Sequence, residues 1–143
     1  MLTTLVIARL KEQVPALRTV GGALDLAALM KGNALAQHTP AAHVVPRGER
    51  GGAVVDATGG YIQAVSETLA VVLTFRHTDA ARTTGADPVD DICAAVRATI
   101  AGWQPAGYPN VFRLSQGASL AAPPGSYAYA VEFTLDHQLR IIA

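Results

Sequence analysis

One cysteine in 143 residues excludes an internal disulfide, and with only four scattered histidines it also excludes the paired ligand spacings of structural zinc sites. Charge is scarce too. Lys, Arg, Asp and Glu make up 15% of the chain, against roughly 25% in average domains, so the polar coat is thin. Eleven basic residues balance eleven acidic ones, and no basic stripe with interleaved aromatics marks a nucleic-acid surface. No apolar run approaches the roughly 20 residues that span a bilayer. The opening Leu-Thr-Thr-Leu-Val-Ile-Ala is broken by Arg9, Lys11 and Glu12, too short for a signal-peptide core, so the chain reads as a cytoplasmic product with no membrane partner.

Catalytic signatures are missing as well. Gly117-Ala118-Ser119 lacks the Gly-x-Ser-x-Gly elbow that exposes a serine nucleophile. The glycines of Arg47 to Gly60 are followed by no Gly-Lys-Ser/Thr ending and open no helix with dinucleotide spacing. Asp90 and Asp91 resemble a carboxylate pair, yet adjacent helical residues point about 100° apart, and their place at a helix start accounts for them. His77 follows Phe75 on an apolar strand face and reads as a packed or hydrogen-bonded residue, while His38, His43 and His137 read as surface histidines. The sequence therefore offers no catalytic, metal or cofactor residue.

What is present is a capped amphipathic helix from Asp87 to Gly102. Asp87 can accept from the first-turn amides, Pro88 suits the first helical position, and Asp90 and Asp91 oppose the positive end of the helix dipole. Val89, Ile92, Cys93, Val96, Ile100 and Trp103 form one apolar stripe, which makes Cys93 a small buried hydrophobe, and Gly102 supplies a left-handed stop. A first helix over 3–14 is predicted from Leu2, Leu5, Val6, Leu10 and Val14, capped by Thr3 or Thr4 and closed by Pro15. Leu17 to Val20 reads as a short strand and Ala23 to Lys31 as a short helix. Pro40 and Pro46 bracket an edge strand, because proline cannot donate to a ladder.

Alternation defines the long strands. Leu69, Val71, Leu73 and Phe75 form an apolar face within Tyr61 to Thr78, and Tyr127, Tyr129, Val131, Phe133 and Leu135 repeat it. Between the two, 79–86 reads as a polar turn, and Asn110 to Leu120 as a strand bent near Gln116-Gly117. Arg47 to Gly60, with five glycines, reads as a long mobile loop: an arm that orders on a neighbouring subunit, or a plain flexible loop. The expected fold is a single α+β domain over 1–143. A mainly antiparallel, or mixed, sheet of four to five strands is packed by the N-terminal helix and the helix at 87–102.

The run Leu69 to Arg76 followed by Ile92-Cys93-Ala94-Ala95-Val96-Arg97-Ala98-Thr99-Ile100 and Gly102-Trp103-Gln104-Pro105 resembles the tail terminator proteins of long-tailed bacteriophages. The order of Val14-Pro15-Ala16-Leu17, the 22–29 segment, Val44-Val45-Pro46 and the Tyr129 to Phe133 strand extends that resemblance over nearly the whole chain. It implies a virion protein that forms a ring, a homohexamer, on the finished tail tube, ends its growth and joins it to the head. Implied partners are further copies of the chain, the tail tube protein and a head completion or connector protein, with genomic DNA passing through the lumen unbound. The resemblance supplies no catalytic residue and implies no cofactor. Interface residues assigned from the sequence itself are Arg47, Glu49, Arg50 and Asp56 on the arm, Tyr61 just after it, and Trp103, whose stripe position favours the core; small or polar strand residues are assigned toward a subunit or the lumen. The alternatives are another head-tail joining or neck protein, and a small α+β ligand-binding or enzymatic dimer.

Overall fold

The computed structural model describes residues 2–56, 59–82 and 87–142, with backbone alone at 56 and 80–82. Three helices and five strands follow in the order α1 (Leu2–Gln13), β1 (Thr19–Gly22), α2 (Ala23–Lys31), β2 (Ala41–Asp56), β3 (Gly60–Arg76), α3 (Pro88–Ile100), β4 (Arg113–Leu120) and β5 (Ser126–Ile142). A 3-10 turn at His77–Arg82 leads from β3 toward α3, and residues 83–86 of the expected polar turn lie outside the described residues. The strands form one mixed sheet in the order β1-β2-β3-β5-β4, antiparallel except for the parallel β1/β2 pair. An α+β domain with a five-stranded sheet is thus the fold, as expected from the alternation and the two amphipathic helices.

The α3 helix forms as its sequence dictates. Asp87 Oδ1 accepts from the Val89 amide at 2.9 Å, Pro88 fills the first position, and Gly102 takes φ +80° at the exit. Ile92, Cys93, Val96 and Ile100 are buried, and burial pushes the Cys93 thiol upward, so Cys93 behaves as a packed hydrophobe. Helix α1 buries Leu2, Val6 and Leu10 beside it. Both helices cover the sheet face made by Leu69, Val71, Leu73 and Phe75 of β3 with Val131, Phe133 and Leu135 of β5, forming one core cluster. Thr3 and Thr4 lie inside the first turn of α1 and do not cap it.

The opposite sheet face is thinly covered. Helix α2 lies on that side and buries none of its residues; Leu24 and Met30 are 86% and 70% exposed. Beneath it His43, expected at the surface, is 2% exposed, a correction that follows from β1 and β2 pairing in parallel, with Gly21 opposite His43. Clearance there is small: a Cβ at Gly21 would meet the His43 ring at 3.2 Å and the Asp25 carboxylate at 2.9 Å, so those side chains would have to shift. Pro46 sits past the last β1 partner, Val44, so its missing amide costs no bond on that side. The edge-strand expectation therefore holds from Val45 onward and is corrected for residues 41–44, which lie between β1 and β3.

Burial lowers the His43 pKa against the smaller opposing effect of Asp25, and Nδ1 has no protein partner. Below the unfolded value of 6.5 the unfolded chain gains a proton that the folded chain resists. The stability contributed by neutral His43 is therefore complete above that value and is lost as pH falls toward the lower folded-state pKa. His43→Leu is expected to flatten this acid-side loss in urea unfolding midpoints; an unchanged slope would show that other groups set it.

Candidate assembly surfaces

The segment that reads as a loop in sequence is a strand in the structure. Residues 47–56 continue β2 and pair with β3 from Gly48↔Thr68 to Asp56↔Ile62, which corrects the expectation of irregular structure. Glycine there serves the ladder. Gln63 packs against the Gly51 backbone, where an added Cβ would meet its amide at 2.7 Å, and the same amide donates to the Gly52 carbonyl at 3.1 Å. Register shifts after Pro46, Gly51 and Val54 absorb the extra residues as bulges. The signal in the sequence was Ala53-Val54-Val55, a β-favouring run that the flanking glycines obscured.

These residues join the distal halves of β3 and β5 in a three-stranded arm. Pairing of β3 with β5 runs without a register shift from Arg76↔Ser126 in the body to Gly60↔Ile142 at the tip. The core cluster follows these strands only as far as Val44, Leu69 and Leu135. At the arm's root Ser66 and Arg113 bind the Asp136 carboxylate at 2.6 and 2.8 Å, and the Ser66 bond is the main cause that holds its pKa down. His137, also expected at the surface, is instead half-buried and meets Glu67 at 3.0 Å, while Tyr108 packs edge-on against its ring. At the tip Val54, Val55, Leu139, Ile141 and Ile142 are 43–90% exposed. The cross-strand pairs Val54↔Gln63, Gln63↔Leu139 and Tyr61↔Ile141 place an uncharged, largely aliphatic surface on one side of the arm.

The sequence-assigned interface residues divide accordingly. Arg47 sits in the first bulge, and Glu49 faces Glu67 while Arg50 faces Ser66, all three exposed. Tyr61 is half-buried and donates to Gln63 Oε1 at 3.0 Å; Asp56 ends β2 opposite Ile62, with its side chain outside the described residues. Trp103 is not on the arm. Its ring stacks on Phe112 with centroids 6.0 Å apart and lies under the Arg9 guanidinium at 4.7 Å.

A second surface lies on the small and polar strand face that the sequence leaves for solvent, a second subunit or the lumen. On the face opposite α1 and α3, a groove of about 780 Å³ runs between α2 and the β4–β5 connection. Val72, Ala128 and Ala130 are among its lining residues, with Leu26, Leu120 and Pro123 along its sides and Arg47 and Glu132 as its charged members. Thr74 also lines it, 6% exposed, with an Oγ1 that has no protein partner. Small residues alternating along β3 and β5 were its trace in the sequence. A cleft of about 380 Å³ between Phe75, Val89 and Tyr127 lies at the C-terminal end of β3. Among the described residues no three His, Cys, Asp or Glu side chains converge on a metal position, and no helix is long and apolar enough to cross a membrane.

A family model described as phage tail terminator protein matches residues 1–143. The chain belongs to the phage tail terminator family. No curated protein matches it. Tail terminators are structural proteins of the virion, and an exposed apolar arm with an open groove is in keeping with a subunit that works in contact with other virion proteins.

Proposed function

We propose that the chain closes into a ring, a homohexamer, on the end of the phage tail tube, stops the tube from growing and offers its free side to a head completion or connector protein. The observation that carries this reading is the match of the whole chain to the tail terminator family. Physical features support it. The arm and the groove lie on different parts of the subunit, and two unlike patches that bind each other produce a head-to-tail contact, which generates a ring when the rotation closes. Genomic DNA passes through the lumen without specific binding. The role is structural and uses no catalysis; it places the protein at the tail-neck region of the virion after synthesis in the host cytoplasm. Arg47, Glu49, Arg50, Asp56 and Tyr61 are assigned to the contact between subunits, while Trp103 is left to intrachain packing because Phe112 and Arg9 already occupy its ring.

Electron microscopy of tail tubes assembled with and without the protein tests this. Tubes should end at a uniform point under a ring when it is present and overrun in its absence. A protein that decorates the tube wall, or leaves tube length unchanged, overturns the reading.

A further inference from the structure

We propose that the subunit contact is one specific pairing: the apolar tip of the arm of one copy lies in the groove between α2 and the β4–β5 connection of the next. This rests on the ring reading and names its interface.

The chain supplies both halves but cannot join them within one subunit. Strand β3 carries the arm at Gly60–Thr68 and part of the groove floor at Ala70, Val72 and Thr74. Its ladder with β5 is unbroken, and from Leu69 to Gly60 it rises about 30 Å. The tip is held that far from its own groove by a continuous sheet, so the arm of the same subunit cannot fill it. Size agrees. A stable interface takes roughly 20–30 residues from each side, and 19 residues line the groove. Charge agrees too: Val54, Tyr61, Gln63, Leu139 and Ile141 carry none, and the groove walls are mostly aliphatic and proline.

Two variants test the pairing because each spoils one half. Leu139→Asp with Ile141→Asp charges the arm, and Met30→Asp with Leu120→Asp charges the groove; all four side chains are 43–70% exposed, so the subunit should remain folded, as circular dichroism can verify. Each variant alone should self-associate at least about 30-fold more weakly in analytical ultracentrifugation, the loss expected for a hot-spot contact. Mixed together they should form pairs and stop, because each pair contains one intact arm in one intact groove and no second competent junction. A ring that survives both variants overturns the pairing and leaves the ring reading standing. If only the groove variant fails to assemble, the groove takes something other than the arm, such as a small apolar ligand, and the pairing is wrong. Wild-type protein that stays monomeric both alone and on tail tubes overturns the ring reading and this interface with it.

Discussion

Phe133→Ala should destabilise the subunit by about 3–5 kcal/mol, the range for emptying a fully buried aromatic site. Phe133 is 0% exposed and lies on central strand β5, paired with Leu69 on one side and Leu114 on the other. Phe112 meets its ring edge-on at 6.5 Å and 74°, a geometry that adds about 1 kcal/mol beyond area burial. The hydrogen-bonded strands on both sides hold the backbone, so the site cannot collapse to recover the lost contacts. Urea denaturation at equilibrium measures the cost. A loss below about 1.5 kcal/mol would mean that the Phe112 loop closes over the gap. Substitutions at Leu139 or Ile141 make the contrast, since exposed positions normally change stability by about 0.5 kcal/mol or less.

Asp79→Ala is expected to cost about 3 kcal/mol, unusually much for a residue in a short 3-10 turn. The side chain is 3% exposed and ties three parts of the chain together. Oδ2 accepts from the Arg76 amide at 2.8 Å at the end of β3, and Oδ1 accepts from Thr39 Oγ1 at 3.1 Å just ahead of β2. Arg76 in turn donates to the Ala36 carbonyl at 2.8 Å, so the α2–β2 connection is anchored on the same cluster. Removing the carboxylate leaves buried donors without their acceptor, and that desolvation cost is the larger part of the loss. Asp79→Asn keeps acceptor capacity and should cost clearly less. Equal costs for Ala and Asn in urea titrations would show that packing, and not these bonds, holds the turn.

The elements that could be read from sequence are those whose determinants are local. Helix α3 carries its cap, its proline and its stop within one stretch, and the structure reproduces all three. Alternation at Leu69 to Phe75 and Tyr127 to Leu135 identified the faces under α1 and α3 for the same reason. Where the cause is a partner distant in the chain, the reading failed. Glycine-rich 47–56 has little strand propensity of its own and becomes a strand because β3 is already held by β5 on its other side. His43 is buried by a parallel pairing to Gly21 that no local pattern announces. The small face of β3 and β5 was legible as uncovered, but the groove's walls, α2 and the β4–β5 connection, come from segments distant in the chain.

The unbroken β3/β5 ladder also sets how the subunit must fold. It joins Arg76 to Ser126 and Gly60 to Ile142, with all of α3 and β4 in the intervening chain, so the β2/β3 and β4/β5 hairpins can form locally but the sheet is complete only when they meet across this ladder. High contact order of this kind slows folding, because loop closure must be met before the long-range pairs stabilise anything. Within this ladder the pair at the arm tip, Gly60↔Ile142, closes the widest loop. The three-stranded arm is therefore complete only after that long-range closure, and a chain that has formed its hairpins alone does not yet present it.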